Sequence, residues 1–364
     1  MPRFSTRRAN NFICLSMLLG NALAFLILFS ASYLPEIAGD TGAALVRLLM
    51  QPGVLLIIGQ LCVMLIPFLV YLAVTKQKVS DVLPLRAVSP LNLFLITLIT
   101  LTLMPLAMFL GGVTALFFDN SVAEFVGDMA QVNLGFTFVV LAIVPSIFEE
   151  ISLRGIVLSN YRYVDIHKAA LVNGFFFGLI HLNPSQFLYA FLLGYVFALM
   201  VFYTKSIFSA IYAHFVFNGT QLLQFYWAQQ FLQNQMAQGE VLPDVTSQEM
   251  LITSLITFAI IAAIFTPVAI ILFKSFKGIN RTNLLKEELE ARIIESGNAN
   301  DQSGLAISTC GSVGYDAADY DSPRVEFPET SPSYEGYHGE QPIVTIGFVF
   351  SIIIYILYVL FVIL

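Results

Sequence analysis

The chain has 364 residues, of which 57% are hydrophobic and only 11% are charged. Soluble domains carry about 25% charged residues, so this composition excludes an ordinary soluble protein and indicates several membrane crossings. We therefore predict an all-α fold, a polytopic integral membrane helix bundle with about eight to nine transmembrane helices. The formal net charge of −7 gives no indication of a nucleic-acid partner, and we predict none.

Hydrophobic runs recur along the chain, and each is predicted to form one helix, since about 20 apolar residues cross a bilayer. Nine segments qualify or nearly qualify: 12–34, 53–75, 91–118, 134–158, 169–182, 186–204, 206–227, 250–273 and 343–364. The first run continues as far as Leu34, which favours a retained helix over a cleaved signal peptide. Lys and Arg are concentrated in the loops on the side of the N-terminus, which predicts a cytoplasmic N-terminus in the plasma (inner) membrane.

These segments divide the chain into predicted parts: N-terminal membrane helices (1–133), a membrane core (134–227), an eighth helix with its flanks (228–277), a cytosolic segment (278–342) and a C-terminal transmembrane helix (343–364). The cytosolic segment begins with a short charged stretch and continues rich in Gly, Ser, Asp, Pro and Tyr. Such a composition cannot bury enough apolar surface to fold alone. We predict that residues 278–342 are largely disordered, and a cytosolic partner for them stays open.

Three ionisable side chains lie close together inside the fourth hydrophobic segment. Glu149, Glu150 and Arg154 are the only Asp, Glu, Lys or Arg residues in all nine segments, and each charge would cost about 2.5–3.5 kcal/mol at a membrane helix centre. Glu150 and Arg154 are four residues apart, so they share a helix face and can pair. Glu149 lies about 100° further round the helix. We therefore predict that Arg154 neutralises Glu150 and that Glu149 is left for chemistry.

Two histidines lie in other hydrophobic segments. His181 follows Phe177 by four residues, and His214 precedes Asn218 by four, so each pair presents one helix face. A glutamate can take a proton from water with the help of one His, and a second His and an Asn amide can donate hydrogen bonds to an oxyanion. The same groups also resemble a catalytic zinc site, in which Glu149, His181 and His214 would be the ligands. The sequence leaves both chemistries open, so a zinc cofactor is an alternative and not a certainty.

The spacing of these residues resembles three motifs of a known family. EExxxR spans Glu149–Arg154, FxxxH spans Phe177–His181 and HxxxN spans His214–Asn218, in that order and on separate hydrophobic segments. They look like the motifs of the CPBP family, which contains the type II CAAX-prenyl endopeptidases and the bacteriocin-processing, or Abi-type, intramembrane proteases. The resemblance covers roughly residues 134–220.

The resemblance implies a role for each residue. Glu149 would be the catalytic glutamate, with His181 helping it to activate water, while His214 and Asn218 would stabilise the oxyanion. The supporting residues would be Glu150, Arg154 and Phe177. The implied enzyme is an intramembrane endopeptidase of the glutamic or metalloprotease type, acting on a membrane-embedded or lipidated peptide such as a prenylated or bacteriocin-type substrate.

Two readings from other classes remain open. A proton-coupled membrane transporter would also use Glu, Arg and His within the membrane. Transporters often contain paired structural repeats, and no second matching set of polar groups is present in this sequence. A non-catalytic scaffold of the same fold that binds a peptide in the same cavity is the other alternative.

Overall fold

The computed structural model of the protein describes residues 4–118, 133–238, 248–303 and 341–360, and for 286–303 it describes the backbone alone. The described residues form helices and no strand. The helices are α1 (Thr6–Leu49), α2 (Pro52–Thr75), α3 (Val79–Val82), α4 (Pro90–Ala115), α5 (Leu134–Asn160), α6 (Ile166–Ile180), α7 (Pro184–Thr204), α8 (Ile207–Ala237), α9 (Gln248–Ser303) and α10 (Ile346–Tyr358).

The predicted class, a polytopic helical membrane bundle, is confirmed. Six of the described helices are long and apolar enough to cross a membrane: α1, α2, α4, α5, α7 and the part of α9 that ends at Leu285. The apolar helices α6 and α10 are shorter. The predicted count of eight to nine spans is therefore not confirmed, and the identity of the membrane and the side of the N-terminus stay predictions.

Two helices run well past the ends of the predicted segments. α1 continues beyond Leu34 to Leu49, and Gly39 interrupts it with a φ of 54°, a backbone conformation that glycine adopts without strain. α9 continues through the predicted start of the cytosolic segment at residue 278 as far as Ser303. Its sequence there contains several Leu and Glu residues, which favour helix strongly. Residues 304–340, which hold most of the predicted disordered segment, lie outside the described residues.

Helices α6 and α7 pack with their backbones nearly in contact. A Cβ atom added to Gly174 of α6 would lie 2.5 Å from the carbonyl oxygen of Phe191, and one added to Gly194 of α7 would lie 2.6 Å from the Cα atom of Gly174. Small residues allow this close approach between membrane helices. The contact fixes the face of α6 that carries Phe177 against α7.

A buried polar network ties the two ends of the described chain to α5. The backbone N–H of Thr6 donates to the side-chain oxygen of Gln341 (2.8 Å), and the Asn10 amide donates to the carbonyl oxygen of Ile343 (2.9 Å). The hydroxyl of Tyr161, just after α5, donates to the side-chain oxygen of Asn10 (2.6 Å). Buried polar groups of this kind must be paired, so the network fixes α1, the start of α10 and the end of α5 together.

Candidate active site

The helix that carries the two glutamates is not a regular α-helix. α5 contains π-helical turns at Val139–Ile143 and Ile151–Val157, with an α-helical stretch at Val144–Glu150 between them. Pro145 has no N–H and cannot bond the carbonyl of Leu141, four residues before it. The side-chain amide of Asn218 on α8 donates to that carbonyl instead (3.0 Å). Asn218, predicted as a catalytic residue, therefore also holds α8 against the irregular part of α5.

The predicted pair between Glu150 and Arg154 is present in the structure. A guanidinium N–H of Arg154 donates to Oε1 of Glu150 (2.9 Å), and both side chains are fully buried. A second N–H of Arg154 donates to the carbonyl oxygen of Gly194 on α7 (3.1 Å). The guanidinium also lies over the rings of Phe177 and Phe197, at 4.6 Å and 5.5 Å from their centroids, which adds cation–π attraction.

His214 stands between the two adjacent glutamates. Its Nδ1 lies 2.8 Å from Oε1 of Glu150, a hydrogen bond in which the ring N–H donates to the carboxylate. Its Nε2 lies 3.9 Å from Oε2 of Glu149, which is too long for a hydrogen bond. A single water molecule can hydrogen-bond to both atoms across such a gap. The imidazole therefore hydrogen-bonds to Glu150 with one ring nitrogen and faces Glu149, at 3.9 Å, with the other.

Glu149 is held by a residue that sequence reasoning missed. The side-chain N–H₂ of Gln60 on α2 donates to Oε1 of Glu149 (2.7 Å). Oε2 of Glu149 is buried and has no hydrogen-bond partner among the described residues. The Glu149 side chain is 10% exposed, whereas that of Glu150 is 0% exposed. Of the two glutamate side chains, that of Glu149 is thus the less completely enclosed, although its Oε2 atom is buried.

The sequence contains a signal for Gln60, namely its polarity within an apolar segment. Gln60 is an amide in a strongly apolar run that crosses the membrane, where an amide side chain has few partners other than polar groups of neighbouring helices. Which polar group Gln60 would meet depends on the packing of α2 against α5, and no spacing rule within one helix gives that.

The family resemblance implied that His181 helps Glu149, but the His181 ring is bonded to Phe177 on its own helix. His181 follows the last residue of α6, and its Nδ1 donates to the carbonyl oxygen of Phe177 (2.6 Å). Within the described part of the chain, no hydrogen bond or ion pair joins it to Glu149. The Phe177 ring lies 4.9 Å from the His181 ring and 5.6 Å from the His214 ring, centroid to centroid. Phe177 therefore packs between the two histidines.

The three side chains predicted as alternative zinc ligands do not form a metal-binding group. Among the residues that the structure describes, no cluster of three or more His, Cys, Asp or Glu side chains is arranged to hold a metal ion. The His181 ring bonds the Phe177 carbonyl, and only His214 comes near Glu149. Catalytic zinc sites use three converging protein ligands, so Glu149, His181 and His214 as they stand do not fit one.

The fold and this cluster define an integral membrane protein with a buried Glu–His–Arg site. Residues 131–220 match the family model described as type II CAAX prenyl endopeptidase Rce1-like, and this confirms the resemblance that the three motifs predicted. The matched segment contains every predicted site residue but not Gln60, which lies outside it. The match supports a protease. No curated protein and no solved structure matches the chain.

Proposed function

We propose that the protein is an intramembrane endopeptidase that hydrolyses a peptide bond with a water molecule activated by Glu149. The single observation that carries the proposal is the unpartnered Oε2 of Glu149, which lies 3.9 Å from Nε2 of His214 in a buried cluster. The family match supports the same class of reaction. The proposed substrate is a membrane-embedded or lipidated peptide, for which prenylated C-termini are the first candidates.

The chemical step uses a water molecule between Glu149 and His214. Oε2 of Glu149 takes one proton from the water. Nε2 of His214 accepts a hydrogen bond from the other O–H of the water and so orients the lone pair of the water oxygen. The water oxygen then forms a bond to the carbonyl carbon of the peptide. The proton held by Glu149 passes to the amide nitrogen as the carbon–nitrogen bond breaks, so that Glu149 is returned to its starting state.

The neighbouring residues position these two groups. Gln60 fixes one carboxylate oxygen of Glu149 and leaves the other for water. Arg154 pairs with Glu150, and Glu150 accepts the Nδ1–H of His214, so the lone pair of Nε2 points away from Glu150. A carboxylate that holds one ring nitrogen in this way fixes the tautomer and the orientation of the imidazole.

The oxyanion would be stabilised by the side-chain amide of Asn218. One N–H of the Asn218 amide is used by the Leu141 carbonyl, and the amide has a second N–H to donate. The His181 ring has its Nδ1–H on the Phe177 carbonyl, which leaves Nε2 free to exchange a proton with the site. In this proposal His214, and not His181, is the direct partner of Glu149, which differs from the roles implied by the family resemblance.

The proposal is tested by an assay of the purified full chain in liposomes. A peptide with a prenylated C-terminus and the same peptide without the prenyl group are offered, and the products are identified by mass spectrometry. We expect cleavage at one peptide bond and faster cleavage of the lipidated peptide. Binding without cleavage would instead indicate the peptide-binding scaffold, and proton-dependent uptake without cleavage would indicate a transporter.

A further inference from the structure

A cavity lies where α5 and α7 end and α6 begins, and it adjoins the candidate active site at Arg154. It has a volume of about 410 Å³ and is lined by the loop after α3, the α5–α6 connection and the end of α7. Because helix ends and connections surround it, the cavity lies at the level where the spans leave the apolar core of a membrane. Its walls are partly apolar, including Val201 and Ile166.

Positive charge predominates in the lining of this cavity. The charged residues in its wall are Arg162, Lys205 and Arg154, which is paired with Glu150, together with one carboxylate, that of Asp81. The Asp81 carboxylate accepts the backbone N–H of Lys78 (2.8 Å) at the start of α3. The Arg162 guanidinium donates to the backbone carbonyl of Asp81 (3.2 Å), which places its charge at this wall.

Lys205 contributes a partly desolvated ammonium group. It lies in the connection between α7 and α8, outside the spans, and burial lowers its pKa. Its Nζ lies 4.2 Å from the centroid of the Phe202 ring, and no carboxylate pairs with it in the described ranges 4–118, 133–238, 248–303 and 341–360. An anion placed beside this ammonium would restore the charged form that burial disfavours.

Arg154 supplies an independent observation at the buried end of the cavity. It lines the cavity although the residue is only 1% exposed. Two of its nitrogens are bonded to Glu150 and Gly194, but its Nε has no hydrogen-bond partner among the described residues. A buried N–H without a partner costs roughly 1–3 kcal/mol, so Arg154 keeps one unpaired donor in the wall of this cavity.

We propose that this cavity binds the phosphate head group of an anionic phospholipid. Basic pockets between membrane helices, at the depth of the lipid head groups, bind such phosphates. Lys205 and Arg162 would contact the phosphate, while Val201 and Phe202 would contact the first atoms of the acyl chains. The proposal does not depend on the proteolytic activity. It would place a lipid next to Arg154, which also holds the Glu150 side of the active site.

The test measures lipid binding to the full-length protein purified in a mild detergent. The delipidated protein is offered phosphatidylglycerol and phosphatidylcholine at equal concentration, and bound lipid is counted by native mass spectrometry. We expect preferential binding of phosphatidylglycerol. The variant Lys205→Met should weaken that binding about fivefold, since one cation near the surface contributes about 1 kcal/mol, and Lys205→Arg should retain it.

Lys168→Met is the matched control, because Lys168 is an exposed lysine near the same helix ends that does not line the cavity. It should bind phosphatidylglycerol as the unmodified protein does.

Equal binding of the two lipids, or equal losses in Lys205→Met and Lys168→Met, would overturn the proposal. Displacement of phosphatidylglycerol by inorganic phosphate at the same concentration would also overturn it, because the site would then take a free anion and not a lipid. If Lys205→Met does not fold, the comparison of Lys205→Arg with the two lipids decides.

Discussion

The two faces of α5 that carry Glu150 and Glu149 differ in how their carboxylates are held. The Glu150 side chain is fully buried, and its Oε1 atom accepts hydrogen bonds both from the Arg154 guanidinium and from the Nδ1–H of His214. The Glu149 side chain is 10% exposed, and among the described residues it forms no hydrogen bond with a Lys or Arg side chain. Its Oε1 accepts from the Gln60 amide, and its Oε2 lies 3.9 Å from the second ring nitrogen of His214. Adjacent residues on a helix point about 100° apart. That rotation is enough to give the two adjacent carboxylates different environments, and the proposed mechanism assigns the chemistry to Glu149.

The Glu150 face should be the more important of the two for stability. Replacing Arg154 with Met leaves Glu150 without its cation in a fully buried position, and breaking a buried ion pair by removing one partner costs about 3–5 kcal/mol. We expect a large fall in the unfolding temperature of Arg154→Met in detergent. The double variant Glu150→Gln, Arg154→Met should recover most of the loss, because no unpaired charge remains. An equal loss in the single and double variants would show that packing of the Arg154 side chain, and not its charge, stabilises this face.

The Glu149 face should affect the rate more than the stability. Gln60→Met keeps the length of the side chain but removes the N–H that donates to Glu149. Hydrogen bonds to charged groups contribute roughly 1.5–3 kcal/mol, so we expect kcat to fall about tenfold to a hundredfold with KM nearly unchanged. The comparison is with Gln221→Met, the same change on α8 away from Glu149. A fall in unfolding temperature without a fall in kcat would assign Gln60 a purely structural role.

The α6–α7 contact that supports the Glu150 face can be broken by one methyl group. A Cβ atom on Gly194 would lie 2.6 Å from the Cα atom of Gly174 and 3.0 Å from Cβ of Phe177. Overpacking of this kind costs about 1–3 kcal/mol, so Gly194→Ala should lower the unfolding temperature and reduce activity together. Gly59→Ala on α2, where nothing lies within 4 Å of the added Cβ atom, is the control and should have little effect. Equal behaviour of the two variants would contradict the close packing of α6 on α7.

Chelation should have the smallest effect. Glu149, His181 and His214 do not form a metal-binding group as they stand, so we expect peptidase activity to survive incubation with a strong zinc chelator. Metal analysis of the same preparation provides the second readout. Zinc bound in a one-to-one ratio, together with loss of activity on chelation and recovery on zinc addition, would establish the zinc alternative and replace the Glu149–water mechanism.

Much of this arrangement follows from spacing within single helices. The i, i+4 separation of Glu150 and Arg154 predicts their pair, and the structure contains it. Among the described residues, each hydrophobic run lies mostly on a helix, because runs of about 20 apolar residues satisfy their backbone groups within a membrane only in that way. The ends of α1 and α9 were not predicted, since hydropathy marks where a span leaves the membrane and not where the helix stops. The hydrogen bond from Asn218 to the Leu141 carbonyl was also not predicted. Pro145 indicates it in principle, because a proline has no N–H to donate to the carbonyl four residues before it.

Contacts between helices were the part that spacing could not give. The roles implied by the family resemblance, and the zinc alternative, would both bring His181 and His214 close to Glu149. The structure brings only His214 there and directs the His181 ring to its own helix. The difference arises because His181 sits at the end of α6, where the last carbonyl groups lack helical partners and accept side-chain donors.

The most direct test of the central claim compares two isosteric variants, Glu149→Gln and Glu150→Gln, for both kcat and unfolding temperature. Loss of a general base costs about a hundredfold or more in rate, so Glu149→Gln should lose at least that factor and unfold as the unmodified protein does. Glu150→Gln should unfold at a lower temperature. Glu249→Gln, the same change at an exposed position at the start of α9, should alter neither quantity. Full activity in Glu149→Gln would contradict the account.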